Sequence, residues 1–307
     1  APNYKCTDPD QDGIYTVSKM EDKLVVGGTV SGDKVIGTLE GTFGGSGTTV
    51  EDNTSSDITG SGAETTTNDV AIDLTTTATN TTFTTLNVTK DTAASLDQAN
   101  SLTVKTDVAG VKLDSKALSA VAQAKDDVTI TVSDGGITDK DVKASYTVTA
   151  EANGQNLLPY GGKKGTVTIT VKVDDDTTAK DYQAWYVTGP TDSWSYVEEL
   201  GLTDSATPGC VDITIDHLST VVLLGSGATV TGVEAVVTDS QGTVTFSGSL
   251  ADAITNAKSG ESITLQKDVK ENVTIPAGKD IVLELNGQKI TNDPASTATH
   301  TITVAYG

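Results

Sequence analysis

Residues 246–292 read FSGSLADAITNAKSGESITLQKDVKENVTIPAGKDIVLELNGQKITN, and two hydrophobic periods meet inside them. Leu250, Ala253, Ile254 and Ala257 fall at i, i+3, i+4 and i+7, the spacing of one helix face. Ser249 stands where an N-cap belongs, Asp252 complements the helix dipole, and Gly260 supplies a stop, which predicts a helix over 249–259. After it the period drops to two. Ile263/Leu265, Val273/Ile275, Ile281/Leu283/Leu285 and Ile302/Val304 are short alternating strands cut by turn residues. The step from Leu265 to Leu285 to Ile302 is roughly 20 residues, within the range of solenoid repeats.

Composition extends this β reading to the whole chain. The 307 residues are 36% hydrophobic but only 4% aromatic, with 30 Gly and recurrent Thr, Val, Ile and Asp, which favours strands and turns over helical bundles. The length allows two or three domains with a real core. A net charge of −22 makes nucleic acid and anionic membrane poor partners and equally suits solubility outside a cell. All 20 positive charges are Lys, so bidentate arginine clamps are missing from the repertoire. No run approaches 18 apolar residues, so no membrane insertion is expected. A signal peptide is expected to be absent or already removed.

Taken in order, residues 1–50 are expected to be a β-rich tail of a preceding repeat, with a hairpin or solenoid corner at 30–35. Asp8, Asp10 and Asp12, followed by Gly13, match the first half of a calcium loop, so calcium is the one candidate cofactor. Its second half fails, because Lys19 occupies the twelfth position, and a solvated acidic turn is the competing reading. Residues 51–69 read as a linker, carrying Ile58 as their one bulky apolar residue. Residues 70–226 show repeated in–out alternation and predict a mainly antiparallel β-sandwich. A helix interrupts it, capped by Asp114 and burying Ala117, Leu118, Val121 and Ala122, and a shorter one is expected at 93–99. A Gly/Thr joint over 227–232 leads into the last domain, 227–307.

Cys6 and Cys210 are a candidate disulfide in an oxidising exterior, or two unrelated thiols. Tyr182, Trp185, Tyr186, Trp194 and Tyr196 crowd together in an aromatic-poor chain. Trp185, Tyr186 and Trp194 are therefore candidate glycan-stacking residues; the alternative is a hairpin whose two Trp pack cross-strand into the core. His217 and His300 are the two histidines, and no GxSxG, HExxH or CxxC accompanies them. His217 reads as a structural histidine with its hydrogen bonds satisfied.

SLADAITNAKSGESITLQKDV, NVTIPAGKDIVLELNGQKITN and HTITV resemble the opening of parallel β-helix repeats in large tandem-repeat surface proteins of Gram-positive-type bacteria. KTDVAGVKLDSKALSAVAQAKDDVTITV and VDITIDHLSTVVLL are similar to a module that precedes such β-helices. The resemblance implies an all-β fold with short helices, a β-sandwich followed by the helix-capped first coils of a parallel β-helix. It also implies an extracellular location on a bacterial cell surface. It transfers no catalytic residue, because the matching positions are core and turn positions. The function expected is that of a non-catalytic stalk or adhesive array whose partners are further repeats of the same protein or neighbouring copies. Two alternatives stand beside it: a module binding host or microbial glycan, and a self-assembling filament or surface-layer subunit.

Overall fold

The computed structural model describes residues 4–7, 16–19, 23–31, 34–44, 49–52, 65–66, 68–75, 82–174, 176–189 and 194–306. The fold is all-β with short helices. Two compact units share the chain: residues 1–133, 148–158 and 164–172 form the first, and residues 134–147, 159–163 and 173–307 the second.

In the first unit the alternation translates directly into burial. Val70, Ile72, Leu86, Val88, Leu102, Val104, Val111, Leu113, Val128 and Ile130 are at most 2% exposed. They meet across strands: Val111 faces Val104 and Ile169, and Ile130 faces Leu86. Lys23–Ser31 and Lys34–Gly41 pair antiparallel with Ser31 opposite Lys34, which is the hairpin expected at 30–35. Lys34–Gly41 also lies beside Thr82–Val88, so the sheet of this unit begins well before residue 70.

The expected, mainly antiparallel character holds, and parallel pairs are the exceptions. Asp69–Asp73 runs parallel to Ser101–Lys105, Lys34–Gly41 to Thr82–Val88, and Lys23–Ser31 to Thr49–Asp52. Alternation reports which face is buried and is silent about direction; parallel pairs need crossovers of a dozen residues or more, roughly what separates these strands. Helix α1 (Lys90–Ser95), continued by a 3-10 turn at Leu96–Gln98, lies in one such crossover. Helix α2 (Ser115–Ala122) is capped by Asp114, whose carboxylate accepts from the Ala117 amide at 2.8 Å, and it buries Ala117, Leu118 and Val121.

The second unit contains an antiparallel sheet followed by coils. Residues 142–147 pair with Thr220–Gly225, which pairs with Tyr182–Thr188; Ser195–Asp204 and Cys210–Ile215 follow, every neighbour antiparallel. A hairpin of Ala235–Thr238 and Val244–Gly248 then leads to helix α3 (Leu250–Asn256). Its turn needs Gly242: φ is +80°, and an added Cβ would sit 2.8 Å from the Cβ of Pro159.

Beyond α3 the chain coils. The first coil lays down Ser262–Leu265, Val269–Lys270 and Val273–Ile275; the second lays down Val282–Glu284, Ile290–Thr291 and Ile302–Val304. All three strand pairs are parallel, with Ile263 on Leu283, Val269 on Ile290 and Val273 on Ile302. These are the helix-capped first coils of a parallel β-helix.

The expected stack is corrected in one respect. Ile302 rests on Val273 rather than on Leu285, because the second coil carries a longer corner between Thr291 and Ile302. The corners are stitched by side chains. Asn272 donates to the Asn292 side chain and to the His300 carbonyl and accepts from the Asp293 amide, while Asp268 accepts from the Lys289 amide.

Helix α3 closes the front of the coil. Leu250, Ala253 and Ile254 join Ile263, Leu265, Val269 and Val273 in one buried cluster. Ser249 caps it as predicted, accepting from the Asp252 amide at 3.1 Å. The helix ends at Asn256, ahead of the expected 249–259 span, with Ala257 already extended. Gly260 (φ +84°) shapes the following turn instead of stopping the helix. The end is satisfied by Lys279, whose ammonium donates to the carbonyls of Thr255 and Ala257.

Candidate functional site: a fastened joint and an open coil

The joint over 227–232 is short and rich in Gly and Thr, a composition that leaves a chain free to bend. Here it is held from several sides. Trp185, Trp194 and Tyr196 are half-buried and pack with Ala228 and Val230 of the joint on a core of Ile137, Val187, Val222 and Leu224. A Cβ on Gly232 would sit 3.4 Å from the Trp185 ring. Gln183 donates to the carbonyls of Ser226 and Ala228 and accepts from the Trp185 indole N–H. The Val233 amide donates to the Tyr196 carbonyl at 3.0 Å, and the Lys267 ammonium donates to the Gly232 carbonyl at 3.0 Å. On the other face of the sheet, the Tyr160 hydroxyl donates to Gln266 of the first coil at 2.9 Å.

This geometry distributes the candidate glycan residues over two faces. Trp185 and Trp194 meet edge-on through Tyr196, at interplanar angles of 71° and 85°. No direct ring contact between the two Trp accompanies these, so the expected cross-strand Trp pair is bridged by Tyr196. Tyr186, the next residue after Trp185 on an alternating strand, faces the opposite way and is buried with Tyr160 and His217.

His217 differs from the satisfied histidine that the sequence suggests. Its Nδ1 meets the Ser219 hydroxyl at 3.1 Å, but its buried Nε2 has no hydrogen-bond partner and lies 3.9 Å from the Glu198 carboxylate. Tyr160 and Tyr186 enclose the imidazole edge-on, with ring centroids 4.9 and 4.5 Å away. Burial, followed by the nearby Glu198 charge, pushes the Tyr186 hydroxyl up to about 12 and the Tyr160 hydroxyl higher still. A serine, a histidine and a glutamate thus lie in series, with the imidazole sealed from solvent between two tyrosines.

A second unpredicted cluster lies at the start of α3. Burial raises the Glu271 carboxyl above its ordinary value, and the adjoining Glu234 carboxylate raises it further by hydrogen bond and charge. The amides of Ala251 and Leu250 pull it back down, and the Leu250 amide also donates to Glu234 at 3.3 Å. The Glu271 carboxyl is thus held above its ordinary range beside the helix start. Nothing in the local sequence signals this, because Glu234 and Glu271 lie on opposite sides of α3 in the chain.

Asp8, Asp10 and Asp12 lie outside the described residues. Among the described residues no cluster of three or more His, Cys, Asp or Glu is spaced to hold a metal ion. Cys210 is a free, half-buried thiol, and the Cys6 side chain lies outside the described residues. No helix among the described residues is long and apolar enough to cross a membrane.

The second coil is where apolar surface meets water. Val282, Leu285, Ile302 and Val304 are 52%, 46%, 40% and 64% exposed and Tyr306 fully so, and among the described residues these are the exposed large hydrophobic side chains. Among the described residues each strand of this coil pairs along one edge. No family model, curated protein or solved structure matches the chain.

Proposed function

We propose that this chain is a non-catalytic structural or adhesive segment of a secreted, modular bacterial surface protein, working as part of a stalk or repeat array. The fastened joint carries the reading. A Gly/Thr connector that would otherwise swivel is clamped by Trp185, Tyr196, Gln183 and Lys267, which welds sheet to coil, as a stalk needs in order to transmit position and load. The resemblance of the coil sequence to tandem-repeat surface proteins points the same way, and the acidic composition suits solubility outside a cell.

A glycan-binding module draws less support, since the rings it would use are spent on the joint and Tyr186 is turned away. Antibody raised against the chain should label intact, unpermeabilised cells of the producing bacterium. Label confined to permeabilised cells would overturn the proposal.

A further inference from the structure

Three parts of the second unit meet at the start of α3. Glu234 arrives from the joint; its amide donates to the Gly248 carbonyl and its carbonyl accepts from the Gln266 amide, each at 2.9 Å. Its carboxylate accepts from the Leu250 amide at 3.3 Å and stands 4.0 Å from the Lys267 ammonium. Glu271 comes from the corner of the first coil between Val269–Lys270 and Val273–Ile275. Its carboxyl hydrogen-bonds to Glu234 and to the amides of Leu250 and Ala251. Both glutamates are half-buried.

The charges around this pair are unevenly shared. Lys267 lies on the Glu234 side, where it also holds the Gly232 carbonyl. Asp252 of α3 is already engaged, its carboxylate accepting from the Ser249 hydroxyl at 2.7 Å. Lys270, next to Glu271 in the chain, is exposed and makes no ion pair among the described residues. A hydrogen bond between two carboxyl groups needs a hydrogen on one of them. With a proton, Glu271 donates to Glu234. Without it, two like charges face each other and the contact has no donor. Glu234 keeps a cation and an amide, so Glu271 is the one that leaves, and the Ala251 amide loses its acceptor.

We infer that Glu234 and Glu271 form an acid-closed clasp, which fastens the corner of the first coil to the start of α3 and to the end of the joint, and which opens when Glu271 ionises. Burial, and then Glu234, hold the Glu271 carboxyl above its ordinary value, so the clasp closes in milder acid than a free glutamate would require. Opening releases the corner and leaves α3 wound, because Ser249 still caps its start and Lys279 still satisfies its end. The clasp does not rest on the surface-protein proposal: it is measured on purified chain, whereas that proposal is measured on cells.

Hydrogen exchange of individual amides at about pH 4 and about pH 7, corrected for the intrinsic rate at each pH, tests it. Protection of the Ala251 amide should be about tenfold greater in acid, while the Asp252 amide, held by Ser249, should change little. Glu271→Gln carries a permanent donor, so Ala251 should be protected at both pH values. Glu271→Ala should leave it unprotected at both. Equal protection of Ala251 in the parent at the two pH values would overturn the inference. So would the same pH response in Glu271→Gln, or Glu271→Ala protected in acid as well as the parent is.

Discussion

At the scale of single residues, two titratable groups are held at a cost. Glu271 keeps a proton in the folded chain that it releases more readily when unfolded, because burial and then Glu234 oppose its charge. The folded state therefore binds more protons from the ordinary 4.5 upward, and stability falls as pH rises through that window. Below 4.5 both states are protonated and the contribution is fully present. Glu271→Gln keeps the shape and the donor, so it should raise stability at neutral pH and flatten the pH slope in urea melts taken between about pH 4 and 8. His217 is the other case. Its removal as His217→Ala leaves a cavity between two tyrosines and should cost about 3 kcal/mol. His217→Phe fills the space and deletes the unpartnered Nε2, so it should stay within about 1 kcal/mol of the parent by urea denaturation. Neither site could be found from local pattern, since Tyr160 meets His217, and Glu234 meets Glu271, only through long-range packing.

At the scale of elements, the cap and the joint decide how the coil starts. Ser249→Ala removes the N-cap acceptor and should cost about 1 kcal/mol in thermal or urea melts. Lys279→Met removes the donor from the last carbonyls of α3; a comparable loss is expected, with faster amide exchange in the final turn of the helix. Trp185→Ala should make the joint over 227–232 the first site of proteolytic cleavage while the sheet and coil fragments stay folded. If the joint resists protease as well as the parent does, the bracket does not fasten it. The start of α3 was legible because an N-cap is a local signal, Ser249 acting within three residues. Its end was not, because the residue that satisfies its last carbonyls, Lys279, arrives from the corner before the second coil.

At the scale of the whole molecule, the −22 charge opposes compaction, and the balancing charges are all Lys. Raising the salt from about 0.01 to 0.15 M should lift the melting temperature by a few degrees as the Debye length shrinks from roughly 30 to 8 Å. A melting temperature indifferent to salt would show that the acids are already dispersed enough not to matter. Sequence alone determined the all-β class, the two capped helices and the coiling tail, because burial on a strand has period two, burial on a helix has period 3.6, and caps act within a single turn. Tertiary structure decided which strand pairs of the first unit run parallel, the seating of Ile302 on Val273, and the meeting of Tyr186 with Tyr160 and His217. Those outcomes depend on which distant segments share a face and how long the intervening corners are, and alternation has the same signature whichever partner a strand finds.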